Sequence, residues 1–192
     1  MAYATVTEVL VRMGHSGATS SDLDARISDA LDAATVAIDN DTGRTFTSAI
    51  ETRTFIAPTG CGDLWVPDLI SVSALALDSA GDGTYSTVVP AADYELLTYN
   101  FGWPYEIVRL HAGSWPYGGR RSTVQIAGTW GWPEVPAPIN QAATLLALRI
   151  AQRPSAALFG VQSFGDGGAG YVRNEDPDYV HLVAPYRVIR IA

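Results

Sequence analysis

The chain has 192 residues, with 20 acidic side chains against 12 basic ones and a formal net charge of −8, a size that suits one compact domain or one domain carrying an insertion. At 47% apolar and 17% charged residues it can bury a core, which excludes a wholly disordered chain. Its acidic balance excludes a protein that coats DNA by neutralising phosphates, because that task needs a basic stripe.

Thr5 followed by Glu8 has the spacing of a capping box, and Val9, Leu10 and Met13 then give an apolar stripe that Gly14 stops. After the loop from His15 to Ser20, Ser21 is the expected cap of a second helix, with Asp22 and Asp24 suiting its positive end. Leu23, Ile27, Leu31, Ala34 and Ile38 recur at helical spacing on one face, Ala30, Ala33 and Ala37 narrow the helix, and Gly43 is the expected C-cap. From about Thr45 to Trp132 the texture changes to short β-branched and aromatic runs broken by Gly, Pro and Asp, which predicts antiparallel strands. These fall near Thr52–Ile56, Leu69–Leu77, Tyr85–Val89, Tyr94–Leu97, Ile107–Leu110 and Val124–Thr129, with Asp78 to Gly83 as a hairpin connection.

Pro136 and Pro138 pre-set a third helix, whose expected core face is Ile139, Ala142, Ala143, Leu146 and Ile150, up to Pro154. The Gly-rich stretch from Ser163 to Gly170, with Gly165, Asp166, Gly167, Gly168 and Gly170, reads as a flexible loop. Asp176 caps a last short helix that opens on Pro177 and stops at Pro185, leaving Tyr186 to Ala192 as a tail. The expected fold is therefore α+β: a small helical bundle from 1–44 and 136–192, with an antiparallel β block inserted over about 45–135.

Candidate chemistry is sparse. His15, His111 and His181 fall in three separate segments, without a nucleophile elbow or a metalloprotease helix around them. Cys61 is the single cysteine, so no internal disulfide and no Cys/His zinc motif is expected, and a reducing compartment is the default. Asp39-Asn-Asp-Thr-Gly43 opens like a calcium loop but has Ile50 at the twelfth position, where the bidentate Glu belongs, so a helix end and turn is the better account. No catalytic residue, metal or cofactor is expected. The start of the chain lacks a basic segment followed by an apolar one, and no uncharged apolar run approaches membrane-spanning length, so neither export by that route nor a membrane location is expected. The aromatic-proline clusters Phe101-Gly-Trp-Pro-Tyr105, Trp115-Pro-Tyr117 and Trp130-Gly-Trp-Pro133 offer two readings. They close the β block over its core, or they form a stacking platform for a sugar or single-stranded bases.

The two ends of the chain carry a resemblance. Tyr3-Ala-Thr-Val-Thr-Glu-Val, Leu23 to Ala34 and Ile38-Asp-Asn-Asp-Thr-Gly-Arg-Thr-Phe46 resemble the N-terminal helical pair of the head-to-tail adaptor (head-tail connector) family of tailed bacteriophages. Asp93-Tyr-Glu-Leu-Leu97, the stretch from Gly128 through Pro136 into Gln141–Arg149, and the ending Asp176 to Arg187 are similar to the versions found in phages of GC-rich actinobacteria. The resemblance implies a structural virion protein, made in the host cytoplasm and placed at the head-tail junction. It implies a twelve-fold homo-oligomeric ring beneath the portal protein that receives a head-completion or tail-side neck protein and lets DNA pass without sequence-specific binding. Carried onto matching positions, it makes Tyr186, Arg187, Val188, Ile189 and Arg190 the portal-contact candidates. The β block departs from the smaller members, which carry little more than a hairpin there.

Two other function classes stand beside it. A carbohydrate-binding β module would use the Trp/Tyr-Pro clusters, although a lectin-like sandwich would continue strands to its ends where this chain has helices. A hydrolase would need His111 or His181 to meet a carboxylate in space.

Overall fold

The computed structural model describes residues 2–15, 19–60, 62–98, 100, 102–111, 114–115, 122–152 and 176–188, together with the backbone of 161–164 and 168–171. The fold is α+β, with four helices and eight strands among the described residues. Two units separate: Met1–Arg44 with Val135–Ala192 form one, and the contiguous Thr45–Glu134 forms the other.

In the first unit, α1 (Val6–Arg12) opens on the capping box: the Glu8 N–H donates to Thr5 Oγ1, and the Thr5 N–H donates to the Glu8 carboxylate at 2.6 Å. The Thr5 backbone N–H, joined by its hydroxyl, holds the Glu8 carboxyl below the usual range. α2 (Ser21–Thr42) starts one residue earlier than the sequence suggests. Ser20, still extended at φ −76° and ψ 147°, accepts from the Leu23 N–H, so Ser21 is the first helical residue and not the cap. Gly43 ends the helix in the left-handed region at φ 68°, as the spacing predicts.

α2 buries Ile27, Ala30, Leu31, Ala34 and Ile38 and packs on α3 (Ala137–Gln152). On α3 the buried residues are Ile139, Ala142, Ala143, Thr144, Ala147 and Ala151, whereas the predicted core residues Leu146 and Ile150 are only half-buried. Ile139 and the alanines of α3 are buried, as are the alanines, Ile27, Leu31 and Ile38 of α2, and the small side chains admit close packing. Asn140 fixes the N-terminal segment by donating to the Tyr3 carbonyl at 3.0 Å, while the Tyr3 hydroxyl donates to Asp39. Arg26 donates to the Ala151 carbonyl at 2.9 Å and satisfies the end of α3.

The expected loop over Ser163–Gly170 differs in its described parts. Strands β7 (Val161–Phe164) and β8 (Gly168–Tyr171) pair antiparallel, with Ser163 opposite Ala169 and Phe164 opposite Gly168. Gly168 and Gly170 are thus strand residues, because a ladder of main-chain bonds needs no side chain on either arm. Gly165, Asp166 and Gly167 lie outside the described residues. α4 (Pro177–Val183) is capped by Asp176, and Pro185 falls within a single 3₁₀ turn, Ala184–Tyr186.

The second unit is one antiparallel sheet in the order β1-β6-β2-β5-β4, with the two-residue β3 (Thr87–Val88) also on β2. Its strands are β1 (Ala49–Ile56), β2 (Leu64–Asp78), β4 (Tyr94–Leu97), β5 (Tyr105–Leu110) and β6 (Thr123–Trp130). β2 begins five residues before the predicted Leu69. Pro67 and Asp68 look like breakers, yet the pairing with β5 shifts register between Trp65 and Leu69 and Asp68 takes φ 26°, so a bulge absorbs them. One face of the sheet is core: Leu64, Val66, Leu69, Leu75, Leu77, Val108, Trp115, Val124, Ile126 and Trp130 are buried together.

The hairpin after β2 is built by one carboxylate. Asp78 is buried and accepts from the N–H groups of Gly81 at 2.7 Å, Gly83 at 2.9 Å and Asp82 at 3.2 Å. Burial opposes its charge, but these amides outweigh it and hold the carboxyl below the usual range.

Two glycines on β6 and after it sit where no side chain fits. A Cβ at Gly128 would collide with the Ser71 carbonyl oxygen of β2, and one at Gly131, with φ 92°, would collide with that of Thr47. Gly83, at φ 87°, has open space around it. Gly128→Ala and Gly131→Ala are therefore expected to cost more than about 2 kcal/mol each in urea unfolding, against about 1 kcal/mol for Gly83→Ala, where only the backbone conformation is strained. Because the folded Asp78 pKa lies below its unfolded value, its stabilisation is complete above about pH 4 and is lost as pH falls through the folded pKa. Asp78→Asn should flatten the acid limb of the stability-pH profile, and an unchanged limb would show that other carboxyls set it.

Candidate functional site

Three kinds of site were legible in the sequence, and the structure treats them differently. Among the described residues no group of three His, Cys, Asp or Glu side chains is placed to hold a metal ion. His15 and His181 are exposed in the helical unit, and His111 is exposed after β5 in the other. Asp39 to Gly43 is the last turn of α2 and its cap, not a cation loop.

Three tryptophans of the aromatic-proline clusters are buried and give a sugar no platform, Trp103 and Tyr105 are half-buried, and Phe101 and Tyr117 lie outside the described residues. Trp115, Trp130 and Trp132 are 1%, 0% and 6% exposed, which turns their ring faces into core. The Trp130 Nε1–H donates to the Glu51 carbonyl at 3.0 Å, its ring meets Phe55 at 5.5 Å, and the Arg53 guanidinium covers it at 4.7 Å. The Trp115 Nε1–H donates to the Gly62 carbonyl. Trp132 lies between Phe46 and Trp103, with ring centroids 5.4 and 5.2 Å away. The Trp115 and Trp130 ring N–H groups, which would greet a ligand in a binding cleft, instead serve the fold. The exposed tryptophan is Trp65 at 58%, which no aromatic-proline pattern marks.

The C-terminal candidates come together at one place, the end of α2. The Val188 N–H donates to the Thr42 carbonyl at 2.8 Å, and Arg44 Nε donates to the Tyr186 carbonyl at 2.9 Å. Arg187 pairs with Asp41 at 2.8 Å, and the Tyr179 hydroxyl donates to the same carboxylate at 3.2 Å. Val188 itself is 40% exposed and packs beside Gly43. The root of the tail is thus strapped to α2, while Ile189 and Arg190 lie outside the described residues. Asp41, Thr42 and Arg44 were not legible as its partners, since they stand more than 130 residues away in the chain. Burial, then the negative charge of Asp41, pushes the Tyr179 hydroxyl up to about 12.

A second surface lies on the outer face of the sheet. On β1, residues 50, 52, 54 and 56 share the side opposite the core, in register with Thr129, Ala127, Gln125 and Thr123 of β6. On β2, Ser71, Ala74 and Ala76 continue the rows, and Val88 of β3 stands opposite Ala76. Ile50 and Ile56 are 87% and 78% exposed. Over β1, β6 and β2 this side carries no charge except at its rim, where Asp78 opposite Thr123 is buried and committed to the hairpin amides, whereas Arg109 and Glu95 pair on β5 and β4 of the same sheet.

No protein-family model and no curated protein matches the sequence. Solved structures do. Over 97% of its length the chain is similar to a chain from the neck of an empty gene transfer agent particle computed with C6 symmetry, with 24% identity, a TM-score of 0.63 and 90% of that chain covered. A chain from the neck of the native particle computed with C12 symmetry matches over the same share at 22% identity and TM-score 0.56, with 92% covered. A third, from the virion of the native particle, matches at 24% identity, TM-score 0.58 and 90% coverage. At these identities the likeness establishes a shared fold, and it spans both the helical and the β unit.

The strap makes a titration testable. Asp41→Asn removes the negative charge beside Tyr179 and should bring its pKa down from about 12 toward the ordinary tyrosine value. Arg187→Ala removes the one charge that opposes the shift and should raise it further. Tyrosinate absorbance in an alkaline titration reads both, and equal values in all three proteins would remove the strap.

Proposed function

We propose that this chain is a structural virion protein, a head-to-tail adaptor that forms a ring beneath the portal, extends the DNA channel and links the capsid to the tail. The observation that carries the reading is the fold: the likeness to neck chains of a phage-like particle covers 97% of this chain and extends through the β unit. The symmetries named for those necks, sixfold and twelvefold, support a ring of copies and a virion location. The reading needs no catalysis, and Trp115, Trp130 and Trp132, three of the aromatics that favoured a sugar-binding module, are spent on the core.

The partners follow from the same reading. The portal lies above, with Tyr186, Arg187 and Val188 at the root of the docking tail and Ile189 and Arg190 beyond them. A head-completion or tail-side neck protein lies below. DNA passes through without base-specific contacts, which agrees with an acidic chain of net charge −8.

Sedimentation of the full chain with the portal protein of its own phage tests this. The expected result is joint sedimentation at one copy per portal subunit. Removal of residues 189–192, which leaves the strap intact, is expected to weaken it at least about tenfold. A chain that never sediments with the portal overturns the adaptor reading.

A further inference from the structure

We propose that the outer face of β1, β6 and β2 is the seat of a second copy of this chain, and so forms the contact between neighbours in the ring; this rests on the adaptor reading above. The first ground is exposure. Ile50 and Ile56 project from β1 at 87% and 78% exposed, and Val88 at 65% lies across the same face. Between the isoleucines stand Thr52 and Thr54, behind them Ala127 and Gln125, and behind these Ala74 and Ala76, so that the floor is small except at Gln125. Two projecting side chains beside a shallow floor give one copy knobs and a recess to offer another.

The second ground is the strand edge. Among the described residues β1 has one neighbour, β6, and its eight residues contain no Pro to blunt the open edge. Its two charged residues, Glu51 and Arg53, are paired with each other at 2.9 Å on the opposite side, where Arg53 covers Trp130. The edge is thereby left neutral on the side that carries the isoleucines, open to main-chain pairing by an incoming strand.

The third ground is charge, and it selects the occupant. Each copy carries −8, so copies repel wherever their acids approach, and a closed ring multiplies that cost. A neutral face is the surface on which two such copies meet without it. A basic partner would gain from acidic groups at its seat, whereas this face has none apart from the buried Asp78. The ring requires that this face of one copy seat on a different surface of the next, a heterologous contact that closes when the rotation between copies divides the circle.

Photo-crosslinking tests the assignment. A photoreactive phenylalanine analogue replaces Thr52, and the full chain is irradiated alone over a range of concentrations and again with the portal protein. An adduct of twice the chain mass in either setting is the expected result. Ile50→Glu with Ile56→Glu should reduce it at least about tenfold, with a thermal melt showing that the fold is kept, as both side chains are exposed. Adducts with the portal or another protein alone, or no adduct in either setting, overturn the inference. A copy-to-copy adduct from a chain that ignores the portal keeps this face and removes the adaptor reading. One-to-one portal binding without that adduct does the reverse.

Discussion

The β unit depends on how closely β2 comes to β6. At Gly128 the Ser71 carbonyl occupies the space of a Cβ, so the two backbones lie nearer than any other residue allows, and register shifts on either side of Val72 accommodate the approach. β6 is also the strand on which β1 is laid residue by residue, from Ala49 opposite Trp130 to Ile56 opposite Thr123. One absent side chain therefore sets the pitch of three strands. It aligns the buried rows of Leu69, Leu75 and Leu77 with Val124, Ile126 and Trp130 on one face, and the uncharged rows on the other.

Much of this was legible. The capping box at Thr5 and Glu8, the stripe of α2 and its glycine stop are local rules that local chemistry satisfies. What escaped was set by partners distant in sequence. Leu146 and Ile150 look like core on a helical wheel, but on α3 it is Ala147 and Ala151 that are buried, where small side chains admit close packing. The strand expected from Leu69 in fact begins at Leu64, since nothing in the neighbourhood of Pro67 and Asp68 announces a bulge. The Gly-rich stretch near 165 lacks side chains to signal a strand, yet Gly168 and Gly170 pair through their backbones.

The candidate site shows the same division. Aromatic-proline clusters were visible in the sequence, but whether a tryptophan meets a ligand or a core is decided by what packs over it, and here Arg53, Phe55 and Phe46 do. The neutral face was invisible as a face, because its members alternate with core residues on three strands and only the pairing register collects them. The tail was recognised by its resemblance, while its attachment to Asp41 and Thr42 had no sequence signal.

That attachment has a consequence for the order in which the protein can be made. α2 is the longest helix and has no basic residue in its own last turn, so the cation that complements its negative end is Arg187, pairing with Asp41 at a separation of 146 residues. The Thr42 carbonyl likewise receives its N–H from Val188. Neither residue has been synthesised when α2 leaves the ribosome. The β unit, contiguous from Thr45 to Glu134, follows α2 and is synthesised before Arg187 and Val188, and domains fold as units during synthesis. The helical unit completes itself last, because the residues that hold the end of α2 are made after the whole of the β unit.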